Sequence, residues 1–132
     1  AVADFSTLNI TATRTVTLDG ARTVGALRLG DATTVSSDWV INTGTAGPLT
    51  LDSTSTTGLI EVVNRITTIG AVLAGTDGIT VTNGGGAGGT LILGAANTFT
   101  GGLTVQGAIV QFNNNASAGA AGVAPRVRPS VR

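Results

Sequence analysis

The sequence of 132 residues predicts an all-β fold. More closely, it predicts a single-stranded, right-handed parallel β-helix (a solenoid) of about five or six coils. Three observations lead to this prediction. They are a composition rich in glycine and threonine, short alternating apolar runs along the whole chain, and similar strands that recur at intervals of about 20 residues.

The composition favours stacked strands over a conventional globular core. The apolar share is 42%, but there are only three Phe, one Trp and no Tyr or Met to fill irregular space. Thr is abundant and favours pleated surfaces, and the many Gly supply tight corners between strands. Strong helix formers are scarce, since the chain has no Lys and a single glutamate, Glu61. Helix content should be near zero.

Short apolar runs follow one another from end to end, and each is closed by Gly, Asn or Asp. Most alternate with Thr, as in Thr15-Val16-Thr17-Leu18, which is the period-two pattern of a strand. The predicted strands lie at 8–10, 16–18, 26–29, 39–41, 49–51, 59–63, 66–69, 79–81, 91–93, 103–105 and 109–112.

A repeat distinguishes a solenoid from a sandwich, whose strands would follow one another about every 8–12 residues without a longer period. Three runs end in Asn42, Asn64 and Asn83, which follow one another at intervals of roughly 20 residues. We predict that these three residues lie one above another as a ladder of stacked amides, with ordinary turn chemistry as the alternative. A second match aligns Gly75–Val81 loosely with Gly101–Val105.

From Gly89 to Val105 the chain resembles a known family. A Gly-Thr-Leu strand leads into Asn97-Thr98-Phe99-Thr100-Gly101-Gly102 and then into a Thr-Val strand. This order is similar to the autotransporter-associated β-strand repeat, and weaker similarity extends over most of residues 8–122. The resemblance implies a right-handed parallel β-helix exposed outside a bacterial cell. It transfers no catalytic residue, because the repeat of that family is architectural.

Charge excludes several classes of partner. Seven Arg balance seven acidic residues, so the sequence provides no electrostatic attraction to nucleic acid or to anionic lipid. No apolar run approaches the roughly 18 residues of a membrane span. There is no Cys, and no metal-binding or cofactor-binding motif is present. The run Gly84–Gly89 matches the spacing of a nucleotide-binding glycine motif. That motif must be followed by a helix, and here a strand is predicted instead, so no nucleotide-binding site is predicted.

Catalysis would depend on carboxylates alone, because the chain lacks His, Cys, Lys and Tyr. The candidates are spread along the chain, mostly beside turn residues, and no pair converges in sequence: Asp19, Asp31, Asp38, Asp52, Glu61 and Asp77. Trp39 is the one side chain that suggests sugar stacking, but its apolar run favours a core position. We therefore predict that the protein is not an enzyme, with a glycan-binding or glycan-cleaving β-helix as the alternative.

One domain is predicted, a parallel β-helix over 1–122, followed by a basic Pro- and Arg-containing C-terminal tail over 123–132. The tail contains Arg126, Arg128 and Arg132, which we interpret as a possible subunit contact, the alternative being a solvated end. Neither end shows a cap, so we expect partners there: a second copy stacked head to tail, or the flanking coils of a longer chain. Surface glycans are a further expected partner. The expected role is structural or adhesive, at the bacterial cell surface.

Overall fold

We describe the fold from a computed structural model that covers residues 1–33, 36–43, 47–53 and 57–119 and the strand Arg126–Val127. All regular secondary structure in these residues is β-strand, with fourteen strands and no helix. The predicted all-β class is confirmed. Within the same residues, no helix has the length and apolar character that a membrane crossing requires.

The strands form three sheets, and all neighbouring strands within each sheet run parallel. The first sheet contains, in spatial order, β1 (Val2–Asp4), β4 (Ala26–Leu29), β7 (Gly58–Val62), β10 (Ile79–Thr82), β12 (Leu103–Gln106) and β14 (Arg126–Val127). The second contains β2 (Arg14–Leu18), β5 (Trp39–Thr43), β8 (Ile66–Ile69), β11 (Thr90–Leu93) and β13 (Ile109–Phe112). The third contains β3 (Arg22–Val24), β6 (Leu49–Leu51) and β9 (Leu73–Ala74).

The chain visits the first, second and third sides in turn and then returns to the first, one layer higher. This path is a parallel β-solenoid of about four turns, which lead from β1 to β12. The strands β13 and β14 continue the stack beyond β12. The count of about four turns is lower than the five or six coils expected from the sequence.

The turns differ in length although their strands stay in register. Along the first sheet, Ala26 pairs with Leu59 and Gly58 pairs with Ile79, and the first of these two intervals is much longer in sequence than the second. The expected interval of about 20 residues therefore describes only the shorter turns. The longer turn has more residues between its strands, as the interval between β4 and β5 shows when it is compared with that between β7 and β8.

The core consists of aliphatic columns that run along the solenoid axis. One inward column of the second sheet is formed by Val16, Ile41, Ile69, Leu93 and Phe112, each paired with the next. Its three middle members are almost completely buried, because each has an apolar neighbour in the layer above and below. Burying each such side chain contributes about 1.5–3 kcal/mol, so stacking itself is the main stabilising interaction.

Candidate functional site

The motif turn from Asn97 to Gly102 serves as the third side of its own layer. Its backbone is extended above β9, since the amides of Thr98 and Thr100 donate to the carbonyls of Leu73 and Gly75, both at 2.9 Å. Asn97 and Phe99 point inward and are buried, whereas Thr98 and Thr100 are exposed. The alternation of the motif thus reproduces a strand.

Asn97 connects three layers through its buried side chain, which is 4% exposed. Its Oδ1 accepts a hydrogen bond from the amide of Leu73 at 2.9 Å, and its Nδ2 donates to the carbonyl of Ser117 at 2.8 Å. The oxygen and the nitrogen of the side-chain amide are therefore both used in holding adjacent layers together. Asn97 has a structural role rather than a ligand-binding one.

The two glycines Gly78 and Gly101 stack at the corner that leads into the first sheet. Both have positive φ, +79° and +89°, and a Cβ at Gly101 would lie 2.5 Å from the amide nitrogen of Gly78. Glycine is required here by both conformation and space. The nearby residues Ile79 and Leu103 are paired, which confirms the alignment of the two glycine-led segments made from the sequence.

The predicted ladder of Asn42, Asn64 and Asn83 is wrong. Asn42 lies within β5 of the second sheet, whereas Asn64 and Asn83 follow β7 and β10 of the first sheet. Because Val62 lies one layer below Asn83 in the register of these strands, Asn64 and Asn83 are also offset along the chain. Similar strand endings occur on different sides of the solenoid. A spacing of about 20 residues in sequence therefore does not show that two residues stack in the same column.

Asn64 instead pairs with the backbone of Asp31, one layer below. Its Oδ1 accepts from the Asp31 amide at 2.9 Å and its Nδ2 donates to the Asp31 carbonyl at 3.2 Å. The buried Asp31 carboxylate in turn accepts from the amides of Ile10, Ser36 and Ser37. This network holds a long corner segment against the stack.

Trp39 belongs to the core, as its apolar run predicted. It is 5% exposed, its ring lies 5.2 Å from that of Phe5, and its Nε1 donates to the carbonyl of Gly30 at 2.7 Å. The sugar-stacking role considered for Trp39 requires an exposed indole. The structure therefore removes the exposed indole that the glycan-binding or glycan-cleaving alternative required of Trp39.

Several of the candidate carboxylates are occupied by interactions within the protein. Asp19 pairs with Arg22, Asp38 with Arg65 at 3.2 Å, and Glu61 with Arg28 at 2.6 Å. In the part of the chain that the structure describes, no three acidic side chains gather in a way that suits a metal ion. These paired carboxylates stabilise the fold and its surface.

The basic residues of the predicted tail are placed only in part. Arg126 lies in β14, where it pairs with Thr104 of β12, so this short strand extends the first sheet. Arg128 and Arg132 lie outside the described residues. The subunit-contact role of the three arginines and the domain division after residue 122 stay predictions.

The outer surfaces of the first two sheets differ in charge. The first sheet carries the Arg28–Glu61 pair on adjacent strands, with Asp4 beside it. The second sheet presents ten outward residues from five strands, none of them charged, which we call the uncharged face: Thr15, Thr17, Val40, Asn42, Ile66, Thr68, Thr90, Ile92, Ile109 and Gln111.

The end of the solenoid at β1, β2 and β3 opens into the core. An apolar cavity of about 200 Å³ lies there, and its lining includes Ala3, Phe5, Val16, Leu18 and Val24. At the opposite end of the second sheet, Phe112 is 41% exposed. Both ends of the described stack thus present apolar core residues.

The sequence of the chain can be compared with those of known proteins. Over 107 residues, the chain is 37% identical to the Adhesin BmaC autotransporter of Brucella suis biovar 1 (strain 1330). The chain is similar to an autotransporter adhesin. The aligned segment comprises 81% of this chain but only 3% of the adhesin, so the chain spans a very small part of that relative's length.

No family model matches the chain, and no solved structure matches it. The general resemblance to autotransporter solenoids is therefore supported by the adhesin and by the parallel β-solenoid fold. The more specific resemblance to the β-strand repeat family depends on the motif residues alone.

Sequence reasoning did not identify the uncharged face or the Arg28–Glu61 pair. The alternation within each strand indicated part of the uncharged face, since Thr15, Thr17 and Thr68 occupy the outward positions of their runs. Which strands share a side was not accessible, because the turns vary in length. Without that assignment, outward residues could not be assembled into faces.

Proposed function

We propose that this chain is an adhesive or structural solenoid module of a protein exposed on a bacterial cell surface. The observation that carries the proposal is the 37% identity with an autotransporter adhesin over most of this chain. The fold supports it, because a parallel solenoid presents long, regular outer faces rather than one deep pocket. The chain spans only a very small part of the adhesin. The role of any longer protein that contains this chain is therefore also a proposal.

The proposed role does not include catalysis. Three carboxylates are held in ion pairs with arginines, and the carboxylate of Asp31 is buried and bonded to backbone amides. A glycosidase needs two carboxyl groups facing a substrate across about 5–10 Å. The internal use of these side chains favours a structural role for them.

Adhesion is tested with beads that carry the purified chain. We expect these beads to be retained on a monolayer of epithelial cells under flow, more strongly than beads carrying Leu91→Asp, a core variant that should not fold. Equal retention of the two bead types would contradict an adhesive role. Labelling of intact bacteria with an antibody against the chain tests its exposure at the cell surface.

Head-to-tail stacking of copies is a second candidate, favoured by the open apolar ends and by the distribution of charge. All seven acidic residues lie between positions 4 and 77, and three of the seven Arg lie in the last seven residues. The acidic residues thus precede the basic tail in sequence, and a contact between two unlike ends of a solenoid propagates instead of closing. The flanking coils of a longer chain would cover the same ends.

Stacking is tested by cysteine cross-linking, which is unambiguous because the chain has no Cys. A mixture of Val16→Cys and Phe112→Cys chains should form mixed disulfide dimers under mild oxidation, together with concentration-dependent sedimentation of the unmodified chain. A chain that sediments as a monomer at all concentrations, or that cross-links only between two Phe112→Cys copies, would rule the candidate out.

A further inference from the structure

We propose that the uncharged face of the second sheet is the adhesive surface, and that its ligand is an uncharged polysaccharide chain. This inference rests on the proposed adhesive function and adds the location of the site and the chemistry of the partner. It begins from the contrast between this face, which is the larger of the two uncharged sheet surfaces, and the first sheet, whose outward residues include Asp4, Arg28 and Glu61.

Charge is excluded from the face itself and confined to its border. None of its ten outward side chains is ionisable, and the neighbouring pair, Asp38 and Arg65, is mutually neutralised at 3.2 Å. Arg14, the exposed first residue of β2, lies at the same border beside Thr15, whereas the ten residues of the face itself offer no cation to phosphate, sulfate or carboxylate groups. The partner that fits is therefore uncharged.

The face combines hydroxyl groups with aliphatic side chains. The hydroxyls of Thr15, Thr17, Thr68 and Thr90 make no hydrogen bond within the described part of the chain. Between them lie Val40, Ile66, Ile92 and Ile109, of which the last is 54% exposed. Sugar rings offer the matching groups, because their hydroxyls donate and accept and their C–H faces pack against aliphatic side chains.

The arrangement repeats along the solenoid axis. Thr15, Val40, Thr68, Ile92 and Gln111 form one outward column through all five strands of the sheet. Neighbouring members are one strand spacing apart, about 4.8 Å. A ligand with repeated units can engage several members at once, so a polymer gains affinity that a single sugar lacks.

The size of the face argues against a second protein copy as the occupant. Five strands at this spacing and about four residues per strand give a face of roughly 300 Å². Stable protein–protein interfaces bury about 800 Å² on each partner. A narrow polymer chain uses such a face more completely than a folded domain does.

The first sheet provides the matched control surface. Thr80 and Thr104 point outward from its adjacent strands β10 and β12 and are directly paired. They lie beside the column that contains Arg28 and Glu61, so their surroundings are charged. Replacing two outward threonines by valine on either sheet keeps shape and strand preference and removes two hydroxyls; at Thr80 it also removes the hydrogen bond between the Thr80 and Thr57 hydroxyls, 2.8 Å apart.

The experiment measures retardation of the complete chain in native gels containing hydroxyethyl cellulose or carboxymethyl cellulose, at low and at high salt. We expect binding of the uncharged polymer to change by less than about twofold with salt, because no ion pair is formed. The double variant Thr68→Val/Thr90→Val should weaken this binding by about tenfold. The control Thr80→Val/Thr104→Val should remain within about twofold of the unmodified chain.

Equal weakening by both double variants would overturn the inference. So would a preference for carboxymethyl cellulose that disappears at high salt, failure to bind either polymer, or dimerisation of the chain that Thr68→Val/Thr90→Val abolishes. If coated beads adhere to cells but the polymers are not bound, the inference fails and the adhesive function stands. If the beads do not adhere either, the proposed function fails.

Discussion

Arg28 ties four layers of the solenoid together through its ion pair with Glu61. The Arg28 Nη1 lies 2.6 Å from the Glu61 Oε2 in the layer above, its Nε donates to the Ser6 hydroxyl at 3.0 Å, and its Nη2 donates to the Gly84 carbonyl at 3.3 Å. Ser6 follows β1 and Gly84 follows β10, so a single guanidinium contacts side chains or backbone from the first to the fourth layer.

Removing this guanidinium should destabilise the fold measurably. We expect Arg28→Met to lower the free energy of unfolding by about 1–2 kcal/mol, since a half-buried ion pair and two further hydrogen bonds are lost. The measurement is urea denaturation followed by circular dichroism. Arg22→Met is the control, because the Arg22–Asp19 pair is exposed and local, and it should change stability by less than about 0.5 kcal/mol.

The buried Asn97 amide should be more sensitive than its exposed neighbours. Asn97→Ala leaves the Leu73 amide and the Ser117 carbonyl without their partner in the interior, and we expect a loss of about 2–3 kcal/mol. Thermal and urea unfolding both report this loss. If Asn97→Ala proved no more harmful than Thr98→Ala, the bridging role of Asn97 would be refuted.

Thr67 offers a substitution that should stabilise the protein. Its side chain points inward between Trp39 and Leu91, is 1% exposed, and its Oγ1 has no hydrogen-bond partner among the described residues. Thr67→Val should raise the free energy of unfolding by about 1 kcal/mol, because an unsatisfied hydroxyl is replaced by a methyl group. Thr68→Val, on the outer side of the same strand, should change it by less than about 0.5 kcal/mol.

The corner at Gly101 should not tolerate a side chain. Gly101→Ala places a Cβ 2.5 Å from the Gly78 nitrogen at a φ of +89°, so we expect a loss of about 3 kcal/mol or more. Gly20→Ala is the matched control, because no atom lies within 4 Å of its Cβ position. Similar melting temperatures for the two variants would contradict the close packing of this corner.

Asp4 should show a pH effect that depends on Ser6. The Ser6 hydroxyl, at 2.7 Å, and then the Ser6 amide, at 2.8 Å, lower the pKa of Asp4 below its ordinary 3.8, and Arg28 adds to this. Its contribution to stability is present above pH 3.8 and is lost as the pH falls through the lowered pKa. Carboxyl titration by NMR should show a rise of the Asp4 pKa in Ser6→Ala, and no such rise in Ser6→Thr.

The period-two alternation predicted most of the strands, because burial on one face imposes alternating apolar residues on the sequence; the predicted strand at 8–10 is wrong, and β1 and β3 were not predicted. The predicted runs 26–29, 66–69 and 109–112 coincide with β4, β8 and β13. The pairing of Ile79 with Leu103 could also be predicted from the sequence, because a glycine precedes each of the two strands. In the structure both of these glycines have positive φ. Local sequence was therefore sufficient to align two strands where both the strand and the glycine corner before it are similar.

The side of the solenoid to which a strand belongs was not accessible in the same way. Asn42 and Asn64 end similar runs about one period apart, yet lie on different sides, because the segment from β4 to β5 is longer than that from β7 to β8. Long-range partners such as Arg28 and Glu61 follow from the register and not from any motif. The uncharged face is a product of the same register.

The turns of the solenoid differ in length, whereas the pairing of their strands stays the same. The layer from Ala26 to Leu59 uses many more residues than the layer from Gly58 to Ile79, yet both leave the strands of the first sheet directly paired. The described part of the longest corner includes the buried residues Asp31 and Ser37, so added length is accommodated beside the stack without disturbing the contacts between layers. A solenoid built this way can change the length of its corners while the framework of paired strands stays the same.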